Sequence, residues 1–181
     1  MYSYKEALVI YGSRHALRKA VEDGRVVSLG RDRYCDAADV GLDHSLQELA
    51  RHKGVVITGH TAYYLLGMTD LEPDGVDIAS KRGGTKITAG NLKQHFIPSD
   101  WLALGKSSIS YEGLELPVYD KERMLLELMR NRNKMPYDLY KEIVQAYRRR
   151  TDEIDMRKLE SYAKEMPRGA SYLRRILSEV F

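Results

Sequence analysis

Hydrophobic and polar positions in the first 35 residues follow two helical patterns and then an extended one. Ser3 and Glu6 have the spacing of a capping box, which marks a helix start, and apolar residues recur at helical spacing up to Gly12. Glycine favours the left-handed conformation that ends a helix, and Ser13 is a good N-cap for a second helix. Residues 25–35 then alternate as a β-hairpin does. Together these patterns predict a helix-turn-helix followed by a wing.

The second predicted helix divides into two faces. Its apolar positions should pack inward: Leu17, Ala20 and Val21. The N-terminal half of a recognition helix enters the major groove, where cationic side chains reach guanine edges and phosphates. The cationic residues of this helix and of the wing are therefore predicted to contact DNA: Arg14, His15, Arg18, Lys19, Arg31 and Arg33. The alternative is that they are solvated charges on a small surface helix.

The rest of the chain predicts a mixed α/β region followed by four helices. Residues 36–43 are polar and predict a linker, and Pro117 indicates a strand that lies at an edge or ends early. Strands are predicted at residues 55–58, 75–79, 94–97, 107–111 and 114–119, and helices at 44–53, 59–66, 120–130, 137–149, 155–165 and 170–180. The predicted fold class is α+β, with a winged helix-turn-helix at residues 1–36 and an α/β domain ending in a four-helix tail at residues 37–181.

Charge is unevenly distributed along the 181 residues. The net charge of +3 is the sum of +3 over residues 1–35, −5 over residues 36–120 and +5 over residues 121–181. Two basic ends around an acidic middle suit a polyanionic partner, although ordinary helix-surface charge explains the C-terminal excess equally well. The single cysteine, Cys35, excludes an internal disulfide and a cysteine-rich zinc site. With neither a secretory segment nor a membrane-spanning run, a cytoplasmic location is expected.

The middle region offers little support for catalysis. Asp74 and Asp77 are not two residues apart on one strand, as a metal-holding carboxylate pair requires, and the scattered histidines predict no zinc site. His60 is expected to make structural hydrogen bonds and His95 to face the core. We predict no cofactor, no metal and no catalytic residue. The residues Lys81, Arg82 and Lys86 form a basic loop that is a secondary nucleic-acid contact or a solvated turn.

Glu122 and Arg123 head the most distinctive helix of the chain. A site is one interpretation of these two residues, and a partly buried ion pair that docks the helix on the sheet is the favoured one. The helix belongs to the segment Tyr119-Asp120-Lys121-Glu122-Arg123 with leucines at helical spacing after it.

The order of these motifs resembles one known family. The helix-turn-helix and wing, the segment VVITGHTAYYLLGMTD, the KRGG loop and the segment VYDKERMLLELMR are similar to the AbiEi-type antitoxins of bacterial abortive-infection systems, which are type IV toxin–antitoxin pairs. The resemblance covers nearly the whole chain, but the first helix of the family's winged helix has no counterpart in it. It implies an N-terminal domain that binds inverted repeats upstream of its own operon and a C-terminal domain that counters the toxin. The toxin would resemble a nucleotidyltransferase, and direct contact with it is not required.

The resulting prediction is a non-catalytic DNA-binding antitoxin that autoregulates its operon. The alternative is an antitoxin-like protein that acts through its C-terminal domain on a partner protein or a toxin substrate, with a vestigial DNA-binding module.

Overall fold

The computed structural model describes residues 1–30, 32–39, 41–50, 52–87 and 91–181, which form two β-sheets and the helices around them. The strands are β1 (Tyr2–Ser3), β2 (Val26–Gly30), β3 (Arg33–Asp36), β4 (Val55–Ile57), β5 (Val76–Lys81), β6 (Leu92–Ile97), β7 (Lys106–Tyr111) and β8 (Leu114–Tyr119). The α-helices are α1 (Tyr4–Tyr11), α2 (Arg14–Glu22), α3 (Leu42–Leu49), α4 (Gly59–Leu65), α5 (Ser99–Ala103), α6 (Lys121–Asn131), α7 (Tyr137–Arg148), α8 (Met156–Glu165) and α9 (Gly169–Glu179). The predicted α+β class is confirmed.

The N-terminal helices begin and end where the caps predict. Ser3 accepts from the Glu6 N–H while the Glu6 carboxylate accepts from the Ser3 N–H, which completes the capping box of α1. Gly12 ends α1 in the left-handed conformation, and the Ser13 hydroxyl accepts from the Ala16 N–H at the start of α2. The two helices lie beside an antiparallel sheet of strand order β1-β3-β2, with a small core of their own made of Ala7, Leu17, Ala20 and Val26.

The second sheet has the strand order β6-β5-β4-β8-β7. Strand β4 pairs antiparallel with β5 and parallel with β8, while β5 pairs parallel with β6. The prediction from Pro117 is wrong, because β8 lies between β4 and β7 and continues to Tyr119. The proline is accommodated since the short strand β4 pairs with β8 at Val118, so the missing N–H of Pro117 interrupts no long ladder on that side.

Helices α3, α4 and α6–α9 share one hydrophobic core with this sheet. Helix α6 lies in its centre, where every residue from Glu122 to Met129 is buried, because α4, α8 and α9 all pack against it. The longest α-helix in the described part of the chain is α7, with 12 residues. It is well short of the roughly 20 apolar residues that a bilayer crossing requires, and no described helix meets that requirement.

The structure corrects the predicted linker at residues 36–43. Strand β3 includes Asp36, a 3-10 turn follows at Ala37–Asp39, and α3 begins at Leu42. The Ala37 N–H donates to the Arg25 carbonyl at 2.9 Å, so this polar segment continues the N-terminal sheet. The polar composition of this segment is typical of a loop. Strand β3 and the 3-10 turn are too short to show the periodicity that would identify them in the sequence. Helix α5 was likewise not predicted.

Candidate nucleic-acid interface

Helix α2 presents its cationic residues to solvent, as its spacing predicts. Leu17 and Ala20 are buried and Val21 is half-buried against the N-terminal core. The opposite positions are all exposed: Arg14, His15, Arg18 and Lys19. The apolar stripe of α2 thus fixes which residues can reach a partner, because the helix cannot rotate without exposing Leu17.

Two of these side chains have local contacts that leave them accessible. The Arg14 guanidinium lies over the Tyr4 ring, 5.8 Å from its centroid. The Arg18 Nε is 3.4 Å from a Glu22 carboxylate oxygen, and both side chains are more than half exposed. Exposed pairs of this kind are weak, so a phosphate can displace Glu22 as the partner of Arg18.

The charge along α2 is polarised. Its first turn contains Arg14 and no acidic residue, whereas Glu22 and Asp23 are at its C-terminal end. The positive end of the helix dipole is at the N-terminus, where backbone N–H groups also favour anions. Side-chain charge and helix dipole therefore attract a polyanion to the same end of α2.

The predicted wing is the hairpin of β2 and β3. Arg33, the first residue of β3, is exposed and pairs in register with Ser3 of β1 and Gly30 of β2. Arg31, the other predicted wing residue, lies outside the described residues. Cys35 is buried beside Val27, as expected of a small apolar side chain.

Two tyrosines, Tyr2 on β1 and Tyr11 on α1, contact this hairpin. The Tyr2 and Tyr11 hydroxyls both donate to the same Asp36 carboxylate oxygen, at 3.1 and 3.2 Å. Burial and these hydrogen bonds raise the pKa of Tyr2 well above its ordinary value, so the phenol stays protonated and keeps donating. Since Tyr11 ends α1 and Asp36 ends β3, this contact holds the helix pair and the hairpin in one arrangement.

The secondary basic segment is a tight turn at the end of β5. Lys81 is the last residue of the strand, the Gly84 N–H donates to its carbonyl at 2.9 Å, and the Arg82 N–H donates to the Ile97 carbonyl. The side chains of Lys81, Arg82 and Lys86 are exposed. The predicted loop therefore begins inside a strand, and its three cations are available to solvent or to a phosphate.

The histidines differ from their predicted roles. The Nε2 atom of His60 is buried without a hydrogen-bond partner among the described residues, so this atom does not make the predicted structural hydrogen bonds. His95 does not face the core: its Nε2 lies 2.8 Å from an Asp77 carboxylate oxygen, and its side chain is 55% exposed. His95 is placed by the pairing of β6 with β5, which the local sequence pattern could not indicate.

Asp74 and Asp77, the two acidic residues considered as a metal-holding pair, lie in different elements. Asp74 is exposed in the loop before β5, whereas Asp77 lies on β5 and holds His95. Within the described ranges, no cluster of three or more histidine, cysteine, aspartate or glutamate side chains could hold a metal ion.

The predicted pairing of Glu122 with Arg123 is wrong, although both residues are buried. Arg123 donates through Nη2 to Glu127 at 2.8 Å, one turn further along α6. Glu122 instead accepts from the Asp155 N–H at the start of α8 and lies 3.8 Å from the Lys158 Nζ. Neighbours in sequence point to different sides of a helix, so the i, i+4 partner is the one within reach.

Sequence reasoning missed the Asp77–His95 pair and the central role of Glu127. The Asp77–His95 pair depends on the parallel pairing of β5 with β6. Local alternation of apolar and polar residues predicts strands but does not show which strands pair. Glu127 could have been found from its i, i−4 spacing to Arg123 and its i, i+3 spacing to Arg130.

Comparisons with known proteins do not identify a family or a function for this chain. No family model matches this chain, and no curated protein shows significant similarity to it.

Proposed function

We propose that this chain is the DNA-binding antitoxin of a type IV toxin–antitoxin system, that it is located in the cytoplasm and that it represses its own operon. In this proposal residues 1–36 act as a winged helix-turn-helix on an operator with inverted repeats. The chain is not catalytic, and it counters a nucleotidyltransferase-like toxin without requiring direct contact. The observation that carries the proposal is the exposed cationic half of α2, supported from behind by the three-stranded sheet.

The dimensions of α2 agree with this role. An α-helix with its side chains is about 10–12 Å in diameter, and a major groove about 12 Å wide admits it. Arg14 and His15 lie in its first turn, with Arg18 and Lys19 one turn later. Glu22 is the exposed ion-pair partner of Arg18, so a DNA phosphate would take its place when the helix binds. Arg33 on the hairpin is then available for the neighbouring backbone.

A second candidate function rests on the helical tail. Leu177 on α9 and Phe181 just after it are four residues apart, and each has about half of its surface exposed. Two exposed apolar side chains at the end of α9 suit contact with a partner protein. In this alternative the chain acts through its C-terminal region on a partner protein or a toxin substrate, and the N-terminal module is vestigial.

The test is DNA binding by a charge-matched pair of double variants. The probe is a duplex that spans the DNA immediately upstream of the chain's own coding sequence, with fluorescence anisotropy as the readout over several salt concentrations. Arg14→Ala with Arg18→Ala removes two side chains of the proposed interface. The control is Arg157→Ala with Arg174→Ala, because these arginines are also exposed on helices and the net charge falls by the same amount.

We expect the α2 variant to bind at least about 30-fold more weakly, since each lost arginine contact to a base or phosphate is worth about 1–3 kcal/mol. Its slope of log affinity against log salt should fall by about two, one unit for each lost phosphate contact. The control should bind as the wild type does. Equal affinities of the two double variants would reject the assignment of α2. Wild-type protein that binds unrelated DNA equally well would reject the autoregulatory role and favour the second candidate.

A further inference from the structure

A cleft lies beside β5 and β6 of the five-stranded sheet, near the C-terminal end of α6. Its volume is about 790 Å³, within the range of roughly 300–1,000 Å³ that small-molecule sites occupy. Its lining includes charged side chains from four segments of the chain: Asp77 on β5, Lys93 and His95 on β6, Arg130 on α6 and Lys134 in the 3-10 turn after it.

The strand register brings the first of these side chains onto one face of the sheet. Asp77 pairs with Lys93 and Ala79 pairs with His95, so Asp77, Lys93 and His95 all project toward the same side. Asp77 is held firmly, because Gly59 packs so closely that a Cβ there would lie 2.8 Å from the Asp77 carboxyl carbon. The Asp77 side chain is only 14% exposed, whereas the His95 ring is 55% exposed. The carboxylate therefore orients the imidazole, and the other ring nitrogen, Nδ1, is left to donate to a ligand.

The environment keeps His95 cationic more readily than a free histidine. The hydrogen bond that His95 donates to Asp77 raises the pKa of His95, while partial burial and Lys134 oppose this and Glu127 adds to it. Lys93 and Arg130 are the other cations on the cleft wall. Arg130 is engaged with Glu127 at 3.1 Å and with the face of Trp101.

Glu127 is already saturated by groups of its own helix. It accepts from Arg123, Arg130 and Asn131 at 2.8–3.1 Å, so its carboxylate does not oppose an anion in the cleft. Lys93 and Lys134 have no ion-pair partner within the part of the chain that the structure describes. Three donors with positive charge therefore remain for a ligand: His95, Lys93 and Lys134.

The end of the cleft opposite these cations is lined by negatively charged side chains. Glu72 and Asp74 in the segment before β5 are exposed carboxylates that accept hydrogen bonds. A ligand that suits both ends carries an anion at one end and hydroxyl groups at the other, since carboxylates bind sugar hydroxyls and ammonium groups bind phosphate.

We propose that this cleft binds a phosphorylated polyol, either a nucleoside monophosphate or a sugar phosphate, with the phosphate at Lys93, His95 and Lys134 and the hydroxyl groups at Glu72 and Asp74. The site is separate from α2, so it is independent of the DNA-binding proposal.

The test is isothermal titration calorimetry of the full chain without DNA, using AMP, ribose 5-phosphate, adenosine and inorganic phosphate as four separate probes. We expect AMP or ribose 5-phosphate to bind at least about tenfold more tightly than both adenosine and inorganic phosphate, because a charge-assisted contact is worth about 1.5–3 kcal/mol. Comparable affinity for AMP and ribose 5-phosphate identifies a sugar phosphate, and preference for AMP identifies a nucleotide.

A charge-matched pair of double variants locates the binding. Lys93→Gln with Lys134→Gln should weaken binding of the tighter probe by at least about tenfold, by the same argument. Lys141→Gln with Lys164→Gln, exposed on α7 and α8, should leave it unchanged. His95→Gln should weaken binding at pH 6 more than at pH 8, since only the protonated ring differs in charge from glutamine.

Three results would overturn the proposal. The first is no detectable binding of either phosphate ester. The second is inorganic phosphate or adenosine binding as tightly as the esters. The third is equal loss in both double variants. None of these outcomes bears on the operator experiment, which measures a different part of the chain.

Discussion

The buried pair of Arg123 and Glu127 allows two opposing effects to be compared by mutation. Arg123 is completely buried, and its Nε and Nη1 atoms have no hydrogen-bond partner among the described residues. Glu127 is its charged partner, at 2.8 Å. Replacing Glu127 by Gln removes that charge and leaves a buried guanidinium that cannot lose its proton. Removing one partner of a buried pair costs about 3–5 kcal/mol.

The reverse substitution is expected to cost much less. Arg123→Met removes the buried charge together with the two nitrogen atoms that lack a partner, and it keeps most of the side-chain volume. Glu127 then retains Arg130 and Asn131 as donors. The lost hydrogen bond, worth about 1.5–3 kcal/mol when charged, is largely offset by the relief of burying an incompletely paired ion. We expect a net loss of about 1 kcal/mol, at least 2 kcal/mol less than for Glu127→Gln.

The assay is equilibrium unfolding in urea followed by the fluorescence of Trp101. This is the single tryptophan, and its ring lies 5.4 Å from the Arg130 guanidinium carbon, so it reports on this region of the protein. The midpoint should fall much further for Glu127→Gln than for Arg123→Met at an unchanged slope. The double variant should be more stable than Glu127→Gln alone. If Arg123→Met proves as destabilising as Glu127→Gln, the reasoning that desolvation dominates at this pair is refuted.

Three further outcomes are expected. Ser13→Ala removes the side-chain cap of α2 and should destabilise the N-terminal unit by about 1 kcal/mol, seen as faster amide exchange in α2, while unchanged exchange would contradict the cap. NMR titration should show that the pKa of His95 lies above the usual value and is lower in Asp77→Asn. The stability that the His95–Asp77 pair contributes is present at low pH and is lost as pH rises through the folded-state pKa of His95. The pKa of Glu153 is lowered from 4.5 to about 2 by hydrogen bonds from Arg150 and then Lys121, so its contribution is present above pH 4.5 and lost as pH falls toward 2. Glu153→Gln should reduce acid sensitivity in that window of a pH-dependent unfolding series, and an identical acid profile would exclude this role.

Much of the fold could be predicted because its signals are local. The capping residues Ser3, Ser13 and Asp120 each accept the hydrogen bond that their position predicts, within three residues of themselves. Similarly, the apolar stripe of α2 alone separated its buried face from the exposed Arg14 and Arg18. The helix boundaries from α6 to α9 follow within about two residues, as is usual where periodicity and caps agree.

Two of the failures share one physical cause, which is contact between segments far apart in sequence. Pro117 suggested an edge strand, but β4 joins β8 in parallel across most of the middle region. His95 meets Asp77 because two parallel strands align, although 18 positions separate them in the chain.

The sequence by itself determined the order and type of most of the elements and the cationic character of the exposed half of α2, because caps and periodicity act over one or two helical turns. Only the tertiary structure decided the strand order, the pairing of His95 with Asp77 and the charged cleft beside β6. These depend on which distant segments pack together, and that outcome is governed by burial of the whole apolar surface at once rather than by any short stretch of chain.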